Sequence, residues 1–215
     1  DEPNDWETRL EEFAARAGGH FHGGNTAFMI IHSEVNNSPA ITRTEMVNVS
    51  RRARELFPGI KAAAGYPTTA GAGSLPSLFP WPLNIVFTWA YDVADPNHSS
   101  YVNGRYADFT SRLQSGQRVG VLVEGFISSG DPNPRLGISG EYLGTLARRW
   151  CSFAQLQPLV EHVVGFYWGV DGGGGTDHIV HLEAGLGITA LEGAHRAVAN
   201  AALNQGNGSC WATSN

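Results

Sequence analysis

Five continuous apolar runs alternate with segments whose apolar residues recur every three or four positions, and this alternation constrains the fold more than any other feature of the chain. The runs are 27–34, 60–66, 84–91, 118–124 and 162–170. A helix before the first run carries Trp6, Leu10, Phe13 and Ala17 on one face, with Asn4 or Asp5 as its cap and Gly18-Gly19 as its end. Between the runs, Met46, Val49, Ala53 and Leu56 follow the capping box Thr42–Glu45. Val102, Tyr106, Phe109 and Leu113 precede Gly116, and Leu143, Leu146, Ala147 and Trp150 follow a capping Ser139. A second box, Thr189–Glu192, opens a last helix running to about Leu203. Strands that are apolar at successive positions are covered on both faces, as parallel strands joined by helical crossovers are. The expectation is an α/β fold, a mainly parallel sheet with flanking helices, either barrel-like or a partial barrel. The alternative is an open doubly wound sheet. No linker or internal repeat breaks residues 1–215, which read as one α/β domain. The stretches 67–82, 127–138 and 171–176 read as polar or glycine-rich loops.

Composition narrows the partners. The net charge is −6 and no basic stripe is present, which argues against nucleic acid. Every apolar run is interrupted before it reaches the length of a membrane span. The glycines at 172–175 lack the lysine and hydroxyl of a phosphate-binding loop and the spacing of a dinucleotide site, so no cofactor is expected. Asp1-Glu2-Pro3 is not an initiator start, which suggests a processed chain, the lost segment being a secretory signal. Two cysteines, Cys151 on a helix and Cys210 near the end of the chain, fit a disulfide tying down the tail, against the alternative of two buried thiols. Asn36, Asn48, Asn97 and Asn207 each begin an Asn-x-Ser sequon, a mild excess that suits a secreted glycoprotein.

In parallel α/β folds the loops after the strands build the site. Reading off those ends gives His32, Ser33 and Glu34, then Tyr66, then Trp89, Tyr91 and Asp92, then Glu124 and Phe126, and last Tyr167, Trp168 and Asp171. The set is acidic and aromatic. Sugars need both, since their C–H faces stack on rings and their hydroxyls need polar partners. Two carboxyls, Glu34 and Glu124, end two of the runs, and such a pair can cleave a glycosidic bond. Strand-end acids that cap helices or pair with arginine are the bland alternative.

This order resembles the clan of retaining (β/α)8 glycoside hydrolases that includes many cellulases and mannanases. In that clan the acid/base glutamate ends the fourth strand and the nucleophile the seventh. A tyrosine often lies near the end of the sixth, and a tryptophan ends the eighth. The resemblance covers about 27–170. It implies Glu34 as acid/base, Glu124 as nucleophile, Tyr91 as a hydrogen-bond partner of Glu124, and Trp168 on the last strand. His32, Trp89, Asp92, Phe126 and Asp171 join Tyr91 and Trp168 as substrate-binding residues. The clan's first three strands have no counterpart here, and Ser33 stands where the clan has Asn. A partial barrel exposes strand edges, which implies a partner protein covering them. The expected function is therefore that of a secreted glycoside hydrolase-like protein acting on a poly- or oligosaccharide. The alternative is a non-catalytic carbohydrate-binding or structural extracellular module on the same scaffold.

Other clusters carry weaker signals. His20 and His22 resemble the paired histidines of metal-dependent amidohydrolases, without the later histidines. Asp171, Asp177, His178, His181 and Glu183 crowd one loop at irregular spacing, so no metal site is assigned. Gly137-Ile138-Ser139-Gly140 does not complete a nucleophile elbow.

Overall fold

The structure is a computed structural model that describes residues 5–21, 26–37, 41–124, 126–128, 140–166, 179–181, 194, 196–201 and 210. Its elements are α1 (Trp6–Ala17), β1 (Phe28–His32), α2 (Arg43–Leu56), β2 (Lys61–Gly65), β3 (Ile85–Thr88), α3 (Ala107–Ser111), β4 (Arg118–Glu124), β5 (Phe126–Ser128), α4 (Gly140–Leu156), β6 (Val160–Phe166) and β7 (Ile179–His181). A 3-10 turn, Val35–Asn37, follows β1, and a π-helical turn, Tyr101–Tyr106, leads into α3. Five strands form one all-parallel sheet in the order β1-β2-β3-β4-β6. Every expected apolar run supplies one of them, so the α/β expectation holds. Among these strands the order never reverses, and reversal is what defines a doubly wound sheet. β5 and β7 form a separate antiparallel pair, with Phe126 opposite His181. That ribbon falls where the sequence reads as loop.

The chain divides into two compact units, Asp1–Ala90 with Asn103–Gly120, and Tyr91–Val102 with Val121–Asn215. Strand β4 contributes residues to each.

In the first unit β2 and β3 are the centre. Ala62, Ala63 and Ala64 of β2 and all four residues of β3 are buried. Small residues on β2 let neighbours approach closely. On β4, a Cβ at Gly120 would lie 2.2 Å from the Phe87 ring, so the ring fills the space that glycine leaves. Helix α2 begins at the expected box: Glu45 N–H donates to Thr42 Oγ1 (3.2 Å) and the Glu45 carboxylate accepts from Thr42 N–H (2.6 Å). The Thr42 hydroxyl and N–H together hold the Glu45 carboxyl below its usual range. Met46, Ser50 and Ala53 form the buried face of α2, and the Ser50 hydroxyl donates back to Met46 O (2.6 Å). Helix α1 has no fully buried residue; Phe13 meets Phe57 and Phe21, each at 5.7 Å between ring centres. Asp5 makes no capping bond and pairs with Arg9 instead (3.1 Å). Arg52 of α2 bridges the two helices, reaching Glu11 and Glu7 of α1 as well as Glu55.

The segment 67–82 is not the open surface loop its composition suggests. Tyr66, Pro67, Phe79, Pro80, Pro82 and Leu83 are buried. Side chains from elsewhere donate to its carbonyls: Arg112 Nη1 to Leu75 O (3.2 Å) and Pro76 O (2.7 Å), Gln117 Nε2 to Pro80 O (3.0 Å) and Leu83 O (3.1 Å), Gln114 to Phe79 O and Arg43 to Leu78 O. These bonds satisfy a backbone that has no sheet or helix partner. The peptide Trp81–Pro82 is cis.

In the second unit α4 buries Leu143, Leu146, Ala147, Trp150, Cys151 and Phe153, the face its periodicity predicts. Tyr101 lies edge-on to Trp150 (5.5 Å) and Phe153 (5.7 Å). Cys151 and Cys210 are joined as a disulfide with Cα atoms 5.8 Å apart, buried beside Ala201. No helix among the described residues is long and apolar enough to cross a membrane.

Candidate functional site

Parallel strands bring their C-terminal ends to one edge of the sheet. At the end of β1, Glu34 has φ 59°, the only non-glycine residue with positive φ among those described. That backbone costs an L-residue about 1–2 kcal/mol. Its surroundings impose it. Val35 is buried and draws the following turn inward, and Asn37 N–H donates to Glu34 O (2.9 Å). The Asn36 amide donates both hydrogens, to Pro67 O (3.0 Å) and Gly73 O (2.6 Å), while Asn37 Oδ1 accepts from Gly73 N–H (2.8 Å). A Cβ at Gly73 would sit 1.8 Å from Asn36 O, so only glycine permits this contact. The clamp leaves the Glu34 side chain exposed to solvent.

At the ends of β2 and β3 the groups turn inward. Trp89 is 4% exposed, and its ring lies over Gly65 and close to Ser33: a Cβ on Gly65 would be 2.6 Å from the ring and 3.4 Å from Ser33 Cα. The indole is thus a floor beneath the strand ends. Its carbonyl accepts from Thr68 N–H (2.9 Å) and Thr68 Oγ1 (3.2 Å), and Thr68 Oγ1 also meets Thr88 Oγ1 (3.1 Å). Arg105 donates to Thr68 O (3.2 Å). Tyr66 packs its ring on Phe79 (4.8 Å), and burial pushes its phenol pKa up, opposed in part by Arg43.

The other expected site residues fall as follows. His32, the half-buried last residue of β1, lines a cavity of about 580 Å³ between α1, β1 and α2 together with Trp6, Phe13, Ile31 and Met46. Sequence reading missed that cavity, because its walls come from three elements that are separate in sequence. Tyr91 is half-buried and Asp92 exposed, both at the start of the second unit's first segment. Glu124 is the last residue of β4, and Phe126 opens β5. Trp168 and Asp171 lie outside the described residues, as do His22, Ser139, Asp177, His178 and Glu183. Among the described residues no three His, Cys, Asp or Glu side chains gather to hold a metal.

Two sequons meet structural obstacles. The Asn36 amide is spent on two carbonyls, and Asn97 Nδ2 donates to Arg149 O (3.2 Å). Asn48 is exposed but sits mid-helix with its Ser50 buried, and Asn207 lies outside the described residues.

No protein-family model matches this chain, and no curated protein matches its sequence.

Proposed function

We propose that this chain is a secreted, glycoside hydrolase-like protein acting on a poly- or oligosaccharide, with Glu34 as acid/base and Glu124 as nucleophile. The observation that carries the reading is strand direction: β1 and β4 belong to one all-parallel sheet, Glu124 ends β4, and Glu34 follows β1 by two residues. Sites of parallel α/β folds are built at that end of the strands. The left-handed backbone of Glu34 adds support, since strained residues cluster at functional sites. The disulfide supports an oxidising compartment.

In this reading protonated Glu34 gives its proton to the leaving oxygen while the Glu124 carboxylate attacks the anomeric carbon. A glycosyl ester forms and the glycosidic bond breaks. Glu34, now ionised, takes a proton from water, which displaces Glu124 and frees the sugar. Tyr91 hydrogen-bonds the nucleophile. His32, Asp92, Phe126, Trp168 and Asp171 contact the substrate, and Trp89 backs it. The test is a pair of variants assayed on an aryl glycoside with a good leaving group and on a natural oligosaccharide. Glu124→Gln should abolish turnover of both. Glu34→Gln should abolish only the second, because the first needs no proton. Equal, mild effects on folded protein would overturn the catalytic roles.

One observation favours a second reading, a carbohydrate-binding module without catalysis. Glu34 is exposed, and an acid/base is ordinarily kept protonated by burial. In that case both variants weaken sugar binding and no turnover is measured for the unaltered chain.

A further inference from the structure

The edge of the sheet opposite the strand ends that carry the glutamates holds a second depression, of about 600 Å³. It lies where α2 ends and where β2 and β3 begin. Its lining includes Arg51, Arg54, Lys61, Trp81 and Asn84, with Glu55 as its single acid. Three features set it apart from an ordinary solvated surface.

The first is charge. The chain as a whole carries −6, and Lys61 is its only lysine. Within this depression Arg51 and Arg54 face one carboxylate, that of Glu55, which is engaged with Arg52 at 3.0 Å. Among the described residues neither Arg51 nor Arg54 has an ion-pair or hydrogen-bond partner, and both are exposed. The carbonyl end of α2 contributes about half a negative charge. That is well short of the cationic excess, so the net local field favours an anion.

The second is Trp81. It is 50% exposed, the most exposed of the tryptophans described, whereas Trp89 and Trp150 are buried. An indole left half in water has an apolar face to cover. The third is geometry. Trp81 is held between buried Pro80 and Pro82, and Gln117 fixes the Pro80 carbonyl at 3.0 Å. The ring is therefore carried on an anchored segment beside the two exposed guanidinium groups.

We propose that this depression binds an anionic saccharide, a sugar ring bearing a carboxylate or a sulfate. The ring's C–H face stacks on Trp81, and Arg51 and Arg54 pair with the oxyanion. A neutral sugar would satisfy the indole alone and a simple anion the guanidinium groups alone; an acidic sugar satisfies both. The site is remote in sequence position and strand polarity from Glu34 and Glu124, so it stands whether or not those residues are catalytic.

The experiment is calorimetric titration of the full chain with three oligosaccharides of equal length: a polygalacturonate fragment, a sulfated fragment and a neutral one. One or both acidic ligands should bind at least about tenfold more tightly than the neutral one. Arg51→Gln with Arg54→Gln should remove that preference, and Trp81→Ala should weaken the acidic ligand about five- to tenfold. Trp81→Phe, which keeps an aromatic face, should retain most of the binding and guards against a folding artefact. The two acidic arms identify the oxyanion. Equal affinity for acidic and neutral ligands, no binding of either acidic ligand at millimolar concentration, or indifference of the preference to the arginine variants would each overturn the proposal.

Discussion

The indole of Trp89 occupies the space that a side chain at Gly65 would need, with ring carbons 2.6 and 2.8 Å from the position of a Cβ. Residue 65 ends β2, and its neighbour on β3 is Phe87, so the tryptophan follows two positions later on the same strand direction. Gly65→Ala must move a buried ring or the strand beneath it. Overpacking of this kind costs about 1–3 kcal/mol. Urea unfolding followed by tryptophan fluorescence should show a lower midpoint, and a substitution without effect would mean the ring has room to move.

Glu34 presents a trade between stability and chemistry. Its left-handed backbone is one that glycine adopts freely. Glu34→Gly should raise stability by about 0.5–1 kcal/mol, while Glu34→Ala, which keeps a Cβ, should not. If the residue is the acid/base, both variants lose turnover of natural substrates. A glycine variant no more stable than the alanine one would show that the turn does not strain this residue.

The Cys151–Cys210 bridge joins positions 59 apart in the sequence. Cross-links of that span remove chain entropy from the unfolded state worth about 4 kcal/mol. Replacing both cysteines with serine should lower the unfolding free energy by an amount of that order. Reductant should add two hydrogens to the mass of the unaltered chain and none to that of the variant.

Tyr106 is buried, and burial alone raises its phenol pKa to about 12. The phenol of an unfolded chain titrates near 10. Below about pH 10 both states hold the proton and the contribution to stability is fully present. Above it the unfolded chain loses its proton first, so stability falls as pH rises from about 10 to about 12. Tyr66, raised in the same direction, steepens the fall. Denaturant melts between pH 9 and 12 should show the decline, and Tyr106→Phe should flatten it.

How far the sequence speaks depends on the range of the interactions. The five sheet strands are legible because each is a local apolar run, and the start of α2 because Thr42 and Glu45 sit three residues apart. The disulfide follows from having two cysteines. β5 and β7 are not legible: each has three residues, too few to show alternation, and their pairing joins positions more than fifty apart. The burial of 67–82 is hidden for the same reason, since its bonds come from Asn36, Arg43, Arg112, Gln114 and Gln117. Of the candidate site, the strand-end positions can be read directly. Which way each ring turns cannot, because packing between residues far apart in sequence decides it. Trp89 turns inward as a result of such packing, against Gly65.

The anchors of segment 67–83 grip main-chain oxygens: Pro67, Thr68, Gly73, Leu75, Pro76, Leu78, Phe79, Pro80 and Leu83 each offer a carbonyl to a distant donor. A carbonyl belongs to every residue type alike. The path of this segment is thus encoded mostly in residues that are not part of it, and substitutions at exposed positions such as Ala70, Ser74 and Ser77 leave the grips intact. The molecule can vary what it displays along this stretch while the route the chain follows stays fixed.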